Sequence, residues 1–161
     1  MPSVTHHDHS TCISTAISAL QAYCAEHKLN LTAIRLNVFQ ILLEEHRAMG
    51  AYQILDRLKA QGKSAQPPMA YRALDFLVTC GFAHKIEHLN AFIACGHPGI
   101  THNPAFLICR DCQVVQESAT RPALTSIAKE VSFAIEDSMI EAIGLCADCK
   151  YKDPQSEASE R

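Results

Sequence analysis

The sequence predicts an α+β protein built in two parts, and three observations carry that reading. Apolar residues recur at helical spacing through four successive segments of the first half. Two short apolar runs then read as paired strands, and a turn-rich stretch breaks the pattern. The last third opens and closes on matched Cys-x-x-Cys pairs, Cys109/Cys112 and Cys146/Cys149.

The elements follow in order. Residues 1–11 are polar and His-rich and are expected as a disordered tail. A first helix is expected from about Cys12 to His27, with Ile13, Ile17, Leu20 and Cys24 on one face. Thr32 is placed to N-cap a second helix, striped by Ile34, Val38, Ile41 and Leu42. A third helix follows Gly50, with Tyr52, Leu55 and Leu58 expected inward and Gly62 as its stop. A fourth opens at Pro67 and Pro68 and closes at Gly81. Its Ala70, Leu74, Leu77 and Val78 are expected inward; Tyr71, Arg72, Asp75 and Thr79 lie opposite. "FAHKIEH" and "NAFIACGH" are the hairpin, turning around Leu89 and Asn90. Helices followed by a hairpin in this order suit a winged helix-turn-helix domain over residues 12–97. In such domains the second helix of the motif reads the major groove with its N-terminal residues, which here include Tyr71 and Arg72.

Residues 98–103 form a hinge, and 104–150 a smaller α/β domain. In that domain "AFLIC" and "VVQE" read as strands, Pro122 to Val131 as a helix with Leu124, Ile127, Ala128 and Val131 apolar, and a strand is expected near Phe133 to Ile143. Residues 151–161 are a polar, flexible tail.

Composition narrows the class. The 161 residues are 48% hydrophobic, without an apolar run long enough for a membrane span and without a secretory leader at the start. A cytoplasmic chain with eight cysteines is expected to use them as metal ligands or redox groups rather than disulfides. The net charge of −3 is uneven: eight basic and six acidic residues through Lys85, then six and eleven. The first part therefore tolerates a polyanion better than the second.

Two residues between cysteines let both sulfurs of a knuckle face one ion. Cys109, Cys112, Cys146 and Cys149 thus supply four thiolates to a tetrahedral structural zinc, closing the 33-residue interval between the pairs. His84, Cys95, His102 and Glu117 offer a second set of zinc donors. Spacing alone leaves it open against scattered histidines, since His88 and His97 stand nearby and Cys95 would serve as a small buried hydrophobe. His6, His7 and His9 read as tail, and Cys24 and Cys80 as core. A zinc or thiol-redox enzyme is the less favoured alternative: catalytic zinc keeps an open position, whereas both sets close at four, and zinc held on all four cysteines would exclude thiol-redox use.

"LTAIRLNVFQIL", "AYQILDRL", "AYRALDFLVTCGFAHKIEHLNAFIAC", "THNPAFLICRDCQVVQE" and "IEAIGLCADC" resemble the ferric uptake regulator (Fur) superfamily, and within it the zinc uptake regulators (Zur). The resemblance runs from about Cys12 to Lys150. It implies a dimeric repressor that binds double-stranded operator DNA, with two zinc ions per subunit and room for two dimers per operator. The four cysteines match the structural zinc site of that family, and His84, Cys95, His102 and Glu117 match its regulatory site. Tyr71 and Arg72 match base-contacting positions, the arginine toward a purine and the tyrosine toward a thymine. Asp56 matches a dimer–dimer contact position; Lys59 stands where its partner arginine is usual, and a lysine lacks the planar fork. Relatives that sense Fe(II), Mn(II) or peroxide define the alternative, against which the Cys95 thiolate favours zinc.

Overall fold

A computed structural model describes residues 9–45, 47–63, 65–98, 102, 104–118, 122–136 and 138–151 of the chain, with residues 9–11, 122 and 123 described by backbone only. The expected tails, apart from His9 to Thr11 and Tyr151, and hinge positions 99–101 and 103 lie outside these residues. The chain divides near residue 100 into two compact units.

The first unit holds α1 (His9–Glu26), α2 (Ala33–Glu44), α3 (Ala51–Ala60), α4 (Pro67–Thr79), β1 (Ala83–Ile86) and β2 (Ala91–Ala94). α1 begins at His9 rather than Cys12, because nothing in "HST" breaks a helix. It ends where Lys28 turns left-handed and the Leu29 N–H reaches back to the Cys24 carbonyl. Thr32 caps α2 as expected, its hydroxyl accepting from the Arg35 N–H. Gly62 and Gly81, both at positive φ, follow the ends of α3 and α4.

Leu20, Val38, Phe39, Ile41, Leu42, Ile54, Leu55, Leu58, Leu74 and Leu77 form the core of this unit. Phe82 sits among them with edge-on contacts to Phe39 and Tyr23. Each fully buried large apolar side chain here contributes roughly 1.5–3 kcal/mol. Two expectations change. Val78 is only half-buried. Tyr52 is 69% exposed, and the inward stripe of α3 is Ala51, Ile54, Leu55 and Leu58. That stripe satisfies the i, i+3, i+4, i+7 rule, which a stripe starting at Tyr52 does not.

β1 and β2 pair antiparallel from Ala83↔Ala94 to Ile86↔Ala91, and the Asn90 N–H closes the turn onto the Glu87 carbonyl. Met49 adds a one-residue bridge to Phe92, with both backbone bonds at 2.8 Å. The segment before α3 is thereby pinned to the hairpin.

The second unit is a three-stranded sheet ordered β4-β3-β5. β3 (Ala105–Cys109) pairs antiparallel with β4 (Val115–Ser118) and parallel with β5 (Ile140–Gly144). A parallel neighbour requires a crossover, supplied by α5 (Pro122–Glu130). Phe106, Ile108, Val115 and Ala128 are buried. The expected strand from Phe133 is shorter and begins at Ile140, because chain leaving α5 must travel back before it can pair with β3. Ile127 and Val131, expected as part of an apolar helix face, are exposed. α6 (Ala147–Lys150) is a single turn capped by Cys146.

Candidate metal sites and nucleic-acid interface

Cys109 ends β3 and Cys112 lies in the turn that follows it. Gln113 turns left-handed there, and its N–H returns to the Cys109 carbonyl at 3.0 Å. Cys146 caps α6 and Cys149 lies within that turn. The Arg110 N–H donates to the Gly144 carbonyl at 2.8 Å, tying the first knuckle to the strand that leads into the second. The sheet register therefore brings two pairs distant in sequence to one place. All four sulfurs lie within 4.8 Å of one another, and Cys112 Sγ stands 3.6 Å from Cys146 Sγ.

That spacing discriminates between chemistries. A disulfide requires about 2.05 Å. Tetrahedral zinc with bonds near 2.3 Å places its sulfurs about 3.8 Å apart. The electrostatics agree. The Cys146 backbone N–H, followed by that of Cys112, draws the Cys109 thiol down to about 6. The Asp111 side chain, then burial, then the neighbouring thiols push Cys149 up. Four thiols this close resist joint ionisation until a cation compensates them. The donor set fits zinc.

The second donor set has members in both units. In the first, Cys95 follows β2 and donates its N–H to the Phe82 carbonyl at 3.0 Å. Phe82 thus stands opposite Cys95, and His84, two residues further along β1, shares their face. Cys95 is buried and His84 half-buried. In the second unit Glu117 lies on β4 opposite Phe106, and His102 meets it, Nε2 to Oε1, at 2.7 Å. Both side chains are largely shielded from solvent. The first unit thus offers an imidazole and a thiolate, and the second an imidazole beside a carboxylate, each a pair of donors suited to zinc.

On α4, Ala70, Ala73, Leu74 and Leu77 are buried, while Tyr71 and Arg72 are exposed one turn from the N-terminus. Packing on one face thereby leaves the other free to enter a groove. Asp56 and Lys59 are exposed on α3 and pair with each other at 3.7 Å. Tyr52, at the first turn of the same helix, is the exposed aromatic that periodicity assigned inward. The small Ala51 beside it was the signal that the stripe is offset by one residue.

Helices followed by a hairpin, a four-cysteine α/β unit and a further pair of metal donors in each unit define a metal-responsive winged-helix regulator. The fold is shared with a ferric uptake regulator of Helicobacter pylori, at 15% identity and a TM-score of 0.60 over 86% of this chain and 93% of that one. A solved zinc uptake regulator complexed with zinc and DNA is 34% identical, with a TM-score of 0.78 over 87% of this chain and 96% of that one. The holo form of XcZur is 36% identical, with a TM-score of 0.74 over 85% of this chain and 98% of that one. The zinc uptake regulation protein of Escherichia coli K12 is 35% identical over 145 residues, 86% of this chain and 84% of that protein. No protein-family model matches the chain. The chain belongs to the zinc uptake regulator family.

Proposed function

We propose that this protein is a zinc-responsive transcriptional repressor that binds operator DNA as a dimer when its regulatory site is filled, and so controls zinc-uptake genes. The observation that carries the reading is the division of donors. One set lies wholly within the second unit; beyond it, the first unit offers His84 and Cys95 and the second offers His102 and Glu117. A set within one unit suits folding; a set shared between units suits sensing. The relatives' names support zinc and DNA as the ligands.

Cys109, Cys112, Cys146 and Cys149 hold the structural zinc, which supplies folding free energy. His84, Cys95, His102 and Glu117 hold the regulatory zinc, which supplies a link between the units. Residues 98–103 act as the hinge this link restrains. Tyr71 and Arg72, joined by Tyr52, face the operator. Where two dimers share one operator, Asp56 and Lys59 provide the contact. Their present pairing is exposed and worth at most about 1 kcal/mol, so exchanging it across dimers is inexpensive. The chain acts as a regulator rather than an enzyme, and no helix among the described residues is long and apolar enough to cross a membrane.

The test is operator binding with and without a chelator that strips only the weaker zinc. Affinity is expected to collapse on stripping and return on zinc addition. Unchanged affinity would refute a zinc-responsive repressor. Cys95→Ser is expected to reproduce the stripped state while keeping a folded dimer and one zinc per subunit.

A further inference from the structure

We propose that the backbone N–H of His97 is a positioning group for the Cys95 sulfur, fixing the one thiolate of the regulatory site for its ion. The proposal rests on the reading of Cys95 as a regulatory zinc donor. The His97 N–H donates to Cys95 Sγ at 3.3 Å. Cys95 is also held through its own N–H, bonded to the Phe82 carbonyl at 3.0 Å. Backbone and side chain of the same residue are thus each fixed by a separate bond.

The side-chain bond closes over two residues, the local pattern in which a short polar side chain captures a nearby backbone N–H. Cys95 is 5% exposed, so water has little access to the sulfur. A backbone amide is then a donor that can stabilise a buried sulfur carrying negative charge. Fixing the Cys95 rotamer also means that little side-chain freedom remains to be lost when an ion binds.

The imidazole of His97 has a different fate. It is exposed, while the backbone of the same residue faces the sulfur. Substitutions can separate the two. His97→Ala keeps the N–H and removes the ring; His97→Pro removes both.

The experiment uses the full-length protein with its structural zinc in place. Zinc affinity of the weaker site is measured by chelator competition, and cobalt(II) is loaded there to read the sulfur-to-metal charge-transfer band. His97→Ala is expected to match the unsubstituted protein in both. His97→Pro is expected to bind about 10-fold more weakly, the scale of a lost outer-shell partner, with a shifted band. If His97→Pro matches His97→Ala in affinity and band, the proposal is overturned. Should the proline variant fail to fold, the unsubstituted protein decides the matter. With cadmium-113 in the weaker site, scalar coupling between the His97 amide proton and the metal through the sulfur is expected, and its absence overturns the proposal. Cys95→Ser separates the two levels. Undiminished binding in that variant would refute Cys95 as a donor. A Cys95-dependent site indifferent to the loss of the His97 N–H would refute only the positioning role.

Discussion

Arg72 has a simple environment. Its helix neighbours Ala70, Ala73 and Leu74 are buried, so the helix is anchored without it, and its side chain is exposed. Arg72→Ala is therefore expected to leave thermal stability within about 0.5 kcal/mol. Operator binding is expected to lose about 1–3 kcal/mol of discrimination at a single base position. Zinc content should not change. Titrations against operators altered one base pair at a time test this; a uniform loss across all sequences would mark a phosphate contact instead. The exposure of Arg72 and Tyr71 was legible in the sequence, because four apolar positions assign the opposite face. The exposure of Tyr52 was not, because a large aromatic outweighed a small alanine in reading the stripe. The four cysteines were legible from spacing. His84, Cys95, His102 and Glu117 were not, because one lies on a strand, one just past a strand, one ahead of β3 and one on another sheet. No local pattern ties such residues together; donor type and spacing left the grouping open, and the resemblance decided it.

At the scale of elements, short signals read well where a cap or a turn needs a particular residue. Thr32, Gly62, Gly81 and the prolines of α4 fixed helix ends. Elements whose ends depend on distant pairing read poorly, as β5 shows: its start is set by where Ala105 meets Ile140. The knuckle is the element with the most at stake. Backbone N–H groups hold the Cys109 thiol below its ordinary value, at about 6 before any ion adds its charge. A group whose folded pKa is depressed contributes fully above its unfolded value, and that contribution is lost as pH falls through the folded value. A bound cation lowers the folded value further. The Cys109 contribution is therefore full above 9.0 and falls progressively down to about 6, while the raised Cys112 and Cys149 thiols favour their protons, so release of the structural zinc and melting of the second unit are expected together as pH falls. Zinc release and circular dichroism followed together in an acid titration test it; melting of the second unit with its zinc retained would contradict it. Cys109→Ser is expected to lose this zinc and unfold the second unit at neutral pH, whereas Cys95→Ser should leave both intact.

The whole molecule leaves apolar surface that a lone subunit does not account for. Val131 is 66% exposed and Phe133 67%, and Leu107, Ile127, Met139 and Ile143 are exposed in the same unit. Exposed large apolar groups at this density mark an interaction surface. A second copy is the occupant proposed here, since a regulator reading two half-sites needs two recognition helices and a two-fold interface uses the same patch twice. Phe133 follows α5 and is not part of the buried set, so Phe133→Asp is expected to keep the fold and the structural zinc. A two-fold interface uses each position twice, so the change would place two charges in the apolar patch at once. Sedimentation should then show a shift from dimer to monomer. Operator affinity should fall by about 100-fold or more, because each half-site would have to be bound without the effective concentration a dimer provides. A Phe133→Asp protein that stays dimeric and binds at full strength would place the dimer contact elsewhere on the chain.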